Sequence, residues 1–260
     1  MKGLTSSRAV FIIFIISSVI FFALVYNHIL RSWPSYSSFF LFWATAFLKM
    51  LYDSSDRFYL LINRLRAKAL NTPTTWDLTA EYAMNEAGIL DELADSLKET
   101  FPNLQVWQND PQRKVVRAGK FTLRLRESPD ADAEFAGLGS SRRVVIDTGS
   151  VTIPYRQVED ALEREIAPLL QKIERTLAST RSKYTVRIDY SGSNPFFGLY
   201  VRRLPSGSLV NFKCEIVEAF ADEPAQVVIE ANRAIITASS PSNLSSTSRK
   251  YLLLSPTSNR

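Results

Sequence analysis

The sequence predicts an α+β protein: an N-terminal transmembrane hairpin, then a soluble domain with two main helices and an antiparallel β-meander. Two long apolar blocks open the 260-residue chain. Apolar residues then recur every three or four positions in two segments, and the period switches to two in the last third. We expect a membrane anchor over 1–52, a basic connector over 53–74 and the α+β domain over 75–260.

Charge follows the same division of the chain. Residues 1–70 contain eight Lys/Arg and two Asp/Glu, a net charge of +6, whereas residues 71–260 contain 23 and 24, a net charge of −1. The basic character of the whole chain, +5, therefore belongs to the N-terminal part. Positive charge in that position orients membrane helices.

The first apolar block, 9–30, has no formally charged residue and is long enough as a helix to cross a hydrocarbon core of roughly 30 Å. We interpret it as a transmembrane helix. A cleaved signal peptide is the alternative, but the apolar run exceeds the usual h-region and no small-residue cleavage site closes it. The second block, 35–52, contains one charge, Lys49, and as a helix would extend about 27 Å.

The loop charges favour a hairpin. Basic residues precede the first block and follow the second, whereas Arg31 alone lies between them. By the positive-inside rule, this pattern places both ends of the hairpin in the cytoplasm. A single span followed by an interfacial helix is the alternative. We therefore expect a plasma-membrane or bacterial inner-membrane protein with a cytoplasmic domain, and the lipid bilayer as one partner.

The connector is predicted as a basic amphipathic helix over 56–70. Phe58, Leu61, Ile62 and Leu65 form an apolar stripe at helical spacing. The cations beside this stripe define the predicted membrane-surface site: Arg57, Arg64, Arg66 and Lys68. Such a helix either lies on an anionic leaflet or packs its apolar stripe on the following domain.

Two helices are predicted in the domain from the spacing of apolar residues, over 77–101 and 155–177. The second contains Pro168, which predicts a kink or break near Ala167 because proline has no backbone donor. Alternating patterns predict strands at 104–108, 120–126, 142–147, 184–190, 196–203, 209–217, 226–230, 234–237 and 251–254. Loops are expected at 127–141 and 239–248. Short turns between successive strands predict antiparallel pairing.

Several kinds of catalysis are excluded by composition. The chain has one histidine, His28, and one cysteine, Cys214. Because His28 falls in the first apolar block, His-based triads and His/Cys zinc sites are excluded from the domain. Cys214 is expected as a small buried strand residue. No glycine-rich phosphate loop occurs either, so we expect no metal and no cofactor.

One local motif bears on catalysis. Residues 144–150 read VVIDTGS, and they resemble the active-site signature of aspartic peptidases. The resemblance implies that Asp147 is catalytic, that Thr148 and Gly149 form its supporting turn, and that a homodimer supplies the second aspartate. The motif also resembles the first phosphate loop of the actin and sugar-kinase superfamily, for which the remaining chain is too short. A strand that ends at Ile146 and turns over the next three residues is the structural alternative.

Arginines on the predicted strands indicate a binding site. Alternation places Arg124 and Arg126 on the polar face of one strand, and Tyr200 and Arg202 on the polar face of another. Such a sheet face can hold an anionic small molecule or a protein partner through bidentate contacts and stacking. The domain has no sustained basic patch with a recognised module, so we expect no nucleic acid.

These patterns together predict a membrane-anchored, non-catalytic binding, sensing or assembly module, with homo-oligomerisation left open. Two alternatives belong to other functional classes. The first is a dimeric, membrane-bound aspartic-type peptidase that uses Asp147. The second is an effector whose hairpin perturbs the bilayer under control of the domain.

Overall fold

The computed structural model describes residue 19 and residues 33–84, 88–101, 103–129, 142–179, 181–201, 213–218 and 224–254, with the backbone alone for 33–40. The chain forms two compact units, Met1–Tyr59 and Leu60–Arg260. The first unit contains helix α1 (Trp33–Ser54). Helix α2 (Asp56–Leu70) begins in the first unit and ends in the second.

Helix α1 covers the second apolar block, but no helix among the described residues is long and apolar enough to cross a membrane. Hydroxyl-bearing side chains and Lys49 lower the mean hydropathy of α1 below that of a span. The first block, 9–30, lies outside the described residues except for Val19. The prediction of a transmembrane hairpin is therefore wrong. The predicted membrane localisation with a cytoplasmic domain depended on that hairpin and is overturned with it.

Helix α2 has the predicted bounds, and its four predicted surface cations are all exposed: Arg57, Arg64, Arg66 and Lys68. The apolar stripe is more exposed than the buried face of a packed connector helix would be. Leu61 is 48% exposed and Leu65 is 54% exposed, whereas Leu60 is 2% exposed. Asn71 ends the helix with a φ of +49, a left-handed conformation that asparagine tolerates. The predicted apolar stripe of α2 is therefore not packed on the described part of the domain.

In the described part of the second unit, nine strands form one antiparallel sheet in the order β2-β3-β4-β5-β1-β6-β9-β8-β7. The strands are β1 (Pro73–Met84), β2 (Gln105–Asp110), β3 (Arg113–Ala118), β4 (Phe121–Pro129), β5 (Arg142–Pro154), β6 (Arg181–Tyr190), β7 (Cys214–Glu218), β8 (Ala225–Ile229) and β9 (Arg233–Ala238). The α+β class and the antiparallel pairing agree with the sequence. The order is not a simple meander, because β1 lies between β5 and β6.

The central strand β1 occupies a segment that was predicted to belong to a helix over 77–101. Every even-numbered side chain from Thr74 to Met84 is buried, and the odd-numbered ones between them are half-buried. This period of two is that of a strand in the middle of a sheet. Helix α3 (Leu90–Thr100) begins only after Gly88, whose φ of +78 favours glycine.

The predicted helix 155–177 forms as a continuous run of helical segments. They are a 3₁₀ turn (Tyr155–Gln157), an α-helical turn (Val158–Asp160), a π-helical segment (Ala161–Ile166) and helix α4 (Ala167–Leu177). Pro168 is the second residue after the π-helical segment, where its missing donor and its ring disfavour regular i→i−4 bonding. The irregularity predicted near Ala167 is therefore a change of helix type.

Two segments in the C-terminal part are helices where the sequence predicted other structure. Helix α5 (Pro195–Val201) replaces the described part of the predicted strand 196–203, of which residues 202 and 203 lie outside the described residues. Helix α6 (Pro241–Leu252) replaces most of the predicted loop 239–248 and the start of the predicted strand 251–254. The Ser240 hydroxyl caps α6 by accepting a hydrogen bond from the backbone N–H of Asn243 at 3.3 Å. Pro241 follows the cap, a position that suits proline.

One face of the sheet, the covered face, packs against the helices. Leu78 of β1 and Val186 of β6 lie against Leu170 of α4 and Leu244 of α6. The Lys114 ammonium, on the same face of β3, ties α3 to the sheet through Asp91 at 2.6 Å. The core therefore lies between the covered face and the helices, and both the strands and the helices contribute fully buried side chains to it.

The opposite face of the sheet, the open face, carries polar and charged side chains. On β1 the odd-numbered side chains lie on this face and are half-buried: Thr75, Asp77, Thr79, Glu81 and the apolar Ala83. The contacts that position α3, α4 and α6 all lie on the covered face. Among the described helices of the second unit, none packs across the open face in those contacts.

Candidate functional site

Four arginines surround Val115 on the open face and form what we name the arginine cluster: Arg113, Arg117, Arg124 and Arg126. Arg124 is directly opposite Val115 across the β3–β4 pair, and Arg126 is directly opposite Arg113. All four side chains are exposed. The pairing of two strands thus concentrates positive charge that the linear sequence spreads over fourteen residues.

The hydrophobic pattern of β4 fixes which side chains reach the open face. Phe121, Leu123 and Leu125 are at most 2% exposed, and they alternate with the two outward arginines of the strand. A slip of one residue in register would bury both arginines and expose the three apolar side chains. Gly119 opens the two-residue turn between β3 and β4 with a φ of +60, a position that favours glycine.

Among the described residues, the carboxylate within ion-pair distance of Arg124 and Arg126 is that of Asp147 on β5. The Asp147 Oδ2 atom is 3.9 Å from Arg124 Nη1 and 4.0 Å from Arg126 Nη2. These distances lie beyond hydrogen-bond range. The two arginine side chains are 51% and 53% exposed. Within the described part of the chain, neither guanidinium therefore has a hydrogen-bonded carboxylate, and we name Arg124, Arg126 and Asp147 the open triad.

The second carboxylate oxygen of Asp147 is held by its own strand. Asp147 Oδ1 accepts a hydrogen bond from the backbone N–H of Gly149 at 2.6 Å, and Gly149 has a φ of +62. The Thr148 hydroxyl accepts from the backbone N–H of Leu78 at 3.1 Å. The register between β1 and β5 shifts at this point, so the DTG residues form a β-bulge inside a continuous strand. The strand does not end at Ile146.

The predicted catalytic role of Asp147 stays a prediction. In this structure Asp147 lies opposite Thr79 on one side and Arg124 on the other. The groups within ion-pair distance of it in the described chain are the two guanidiniums of the open triad. In the fold, Asp147 accepts a hydrogen bond from the backbone N–H of Gly149 and lies within ion-pair distance of the two guanidiniums.

A second group of the same composition lies on the same face. Asp189 of β6 is paired with Arg187 of the same strand and with Arg233 of β9. Asp189 Oδ2 is 2.9 Å from Arg187 Nε, and Asp189 Oδ1 is 2.6 Å from Arg233 Nε. The hydrogen bond from Arg233 to Asp189 raises the pKa of that guanidinium. Both carboxylate oxygens are occupied, and we name this group the closed triad.

An exposed tryptophan adjoins the arginine cluster. Trp107 lies at a register irregularity on the edge strand β2 and is 59% exposed. The Arg117 guanidinium carbon is 5.7 Å from the centroid of its ring, within the range of a cation–π contact. The sequence analysis missed this residue; a single tryptophan in an otherwise polar strand was the available signal.

The other half of the predicted binding site is not where the sequence placed it. Tyr200 is on helix α5, which packs through Phe196 on Tyr251 of α6, with ring centroids 4.6 Å apart. Arg202 lies outside the described residues. The structure therefore brings Arg124 and Arg126 together and leaves Tyr200 on a different element. Cys214 is half-buried on the edge strand β7, and burial raises the pKa of its thiol.

A cavity of about 310 Å³ is found elsewhere in the second unit, with Arg66 of α2 in its wall. The hydroxyls of Tyr155 and Tyr190 in the same wall donate to the carbonyls of Leu253 and Tyr251, at 3.0 and 3.2 Å. Burial raises the pKa of both tyrosines. These hydroxyls hold the C-terminal end of α6, so this cavity is poorer in available donors than the arginine cluster.

Metal binding has no support in the described part of the chain. No group of three or more His, Cys, Asp or Glu side chains there could hold a metal ion. The donors that the open face does offer are guanidinium N–H groups and an aromatic ring, which suit anions and planar groups.

Comparison with known proteins does not assign a family. The chain matches no protein-family profile and no curated protein sequence. Among solved structures it is similar to the apo structure of the immunity protein TplEi of T6SS from Pseudomonas aeruginosa, with 8% sequence identity and a TM-score of 0.18. The match covers 64% of this chain and 82% of that one. A TM-score this low carries no argument about fold or function.

Proposed function

We propose that this chain is a non-catalytic binding module that takes an anionic ligand on the open face of its sheet, with Arg124 and Arg126 as the principal contacts. The observation that supports it most is the open triad. Asp147 Oδ2 is 3.9 and 4.0 Å from the two guanidiniums, so among the described residues neither arginine has a hydrogen-bonded carboxylate.

The geometry of the cluster suits phosphate or carboxylate groups. A guanidinium presents a planar fork of donors that matches either anion bidentately. Arg124 and Arg126 project from alternate positions of one strand, about 7 Å apart along it. Arg113 stands directly opposite Arg126 and adds a third fork. A bound anion between them shields all three from one another.

Like charges directly opposite each other destabilise a strand pair. The Arg113–Arg126 pair is such an arrangement, and the open triad supplies one carboxylate for two of the three arginines concerned. An anionic ligand would offset this repulsion. Because the site is solvent-exposed, we expect its affinity to fall steeply with ionic strength.

Titration of the full chain with sodium tripolyphosphate at low salt, followed by calorimetry, tests the proposal. Replacing Arg124 and Arg126 together by alanine removes two charge-assisted contacts of roughly 1.5 kcal/mol each, so we expect about a hundredfold weaker binding. The matched control replaces Arg181 and Lys183, two exposed cations of β6, by alanine.

The control has the same change of net charge on the same sheet face, and its affinity should stay within about threefold of the parent chain. Circular dichroism checks that both variants keep their fold. Equal losses in the two variants would mean that tripolyphosphate senses net charge alone. That outcome, or the absence of any binding by the parent chain, contradicts the proposed function.

A further inference from the structure

We infer that the ligand of the arginine cluster is a nucleotide, whose base stacks on Trp107 while its phosphates contact Arg124 and Arg126. This inference rests on the proposed function and specifies the chemical class of its ligand. Trp107 adjoins the anion site through Arg117. Binding of an anion alone does not require an exposed tryptophan at this position.

Trp107 has the properties of a stacking platform. It is 59% exposed, whereas Trp76, Tyr82 and Tyr184 on the covered face of the same sheet are buried. The Arg117 guanidinium lies 5.7 Å from its ring centroid and limits its movement. An indole held in this way offers its remaining surface to a planar ring, and aromatic side chains bind bases by such stacking.

The distance between the ring and the open triad suits a nucleotide. Trp107 is on β2 and Arg124 is on β4, so the two are separated by two strand spacings, about 9 to 10 Å. Arg117 lies between them, opposite Thr122 and therefore diagonal to Arg124. A sugar and a short phosphate chain bridge such a gap, with Arg117 placed to meet the phosphate nearest the base.

The charge of the cluster favours phosphates over the carboxylates of an acidic peptide. Four guanidiniums surround Val115, whereas the carboxylates within ion-pair distance of them reduce to Asp147 among the described residues. A phosphate chain concentrates several negative charges within that area, and its base supplies the flat ring that Trp107 accepts. A free nucleotide and a nucleotide within a single strand share this chemistry, so the experiment must separate the two sources.

The residues of this site are dispersed in the sequence, and this dispersal explains why the sequence alone does not indicate a nucleotide ligand. No run of basic residues occurs, because the four arginines come from two strands and the tryptophan comes from a third. The site exists only after β2, β3 and β4 have paired.

Tryptophan fluorescence of the full chain, titrated with ATP, with sodium tripolyphosphate and with a tetrathymidylate, tests the inference. We expect ATP to quench the emission and tripolyphosphate to bind without quenching. Replacing Trp107 by leucine should remove the quenching and weaken ATP binding about tenfold, while leaving tripolyphosphate binding unchanged. The control is Val217→Ala, which trims an exposed side chain on the opposite edge strand and should change neither ligand.

The outcomes distinguish failure of the nucleotide inference from failure of the proposed anion-binding function. Tighter binding of tetrathymidylate than of ATP supports the inference with a single strand as the source, and tighter binding of ATP supports it with a free nucleotide. If Trp107→Leu binds ATP as the parent does, or if ATP and tripolyphosphate bind equally, the nucleotide is ruled out and the anion site stands. If tripolyphosphate does not bind, the proposed function itself fails.

Discussion

Asp147 and Asp189 lie on the same face of the sheet, each with two arginines beside it. Their side chains are similarly exposed, 22% and 27%. Around Asp189 the guanidiniums are at 2.9 and 2.6 Å, and around Asp147 they are at 3.9 and 4.0 Å. One aspartate and two arginines therefore form a closed ion-pair group in one place and an open one in the other.

The backbone explains this difference. Asp189 is on a regular part of β6, so both of its oxygens face the arginines. Asp147 precedes a β-bulge, and its Oδ1 atom is drawn to the backbone N–H of Gly149. A local irregularity in one strand thus decides whether two arginines are neutralised within the fold or remain available to a ligand.

Breaking the bulge should have the largest effect on stability. Thr148→Val removes the hydroxyl that accepts from Leu78 N–H and leaves a buried donor unpaired. We expect the free energy of unfolding to fall by about 2 kcal/mol, measured by chemical denaturation. Thr185→Val is the matched control, because Thr185 is half-buried on a regular strand. It should change stability by less than about 0.5 kcal/mol, and a loss as large as that of Thr148→Val would refute the role of the bulge.

Opening the closed triad should have an intermediate effect. Asp189→Ala removes two short ion pairs, one within β6 to Arg187 and one from β6 to Arg233 of β9. Because the group is partly exposed, we expect a loss of about 1 kcal/mol in the free energy of unfolding. Asp147→Ala, the equivalent change in the open triad, loses a hydrogen bond to Gly149 but no short ion pair. A larger fall in the free energy of unfolding for Asp147→Ala than for Asp189→Ala would contradict the assignment of Asp147 to the open triad and of Asp189 to the closed triad.

Removing the negative charge of Asp147 from the open triad should have the smallest effect of the three changes. It should strengthen ligand binding. Asp147→Asn keeps an oxygen that can accept from Gly149 N–H and removes the negative charge beside the arginines. We expect tripolyphosphate to bind about threefold more tightly by calorimetry. Weaker binding would show that the carboxylate positions the arginines. The same variant tests the peptidase hypothesis, since an aspartic peptidase would lose its activity.

Local patterns predicted those elements whose burial has a regular period. The alternation of Phe121, Leu123 and Leu125 indicated that Arg124 and Arg126 share one face, and the structure has them so. The helix 155–177 and its irregularity at Pro168 followed from spacing and from the chemistry of proline.

Other elements depended on pairing between distant residues. Strand β1 has a period-two alternation, but the strong helical spacing that follows Gly88 predicts a helix that includes residues 77–84 of this strand. Its partners on β5 are 58 to 81 residues away in sequence and those on β6 are 98 to 116 residues away, and no local pattern specifies that arrangement. For the same reason the arginine cluster, with Trp107, could not be recognised before the register was known.

The most direct test of the central claim compares the two triads in one molecule. Nitrogen-15 labelling of arginine allows the Nε–Hε signals of the full chain to be followed by NMR during a tripolyphosphate titration, with Arg→Lys variants for assignment. The account predicts saturable shifts for Arg124 and Arg126 and none for Arg187 and Arg233, whose Nε atoms are already paired with Asp189. Equal shifts in both triads, or shifts confined to Arg187 and Arg233, would contradict it.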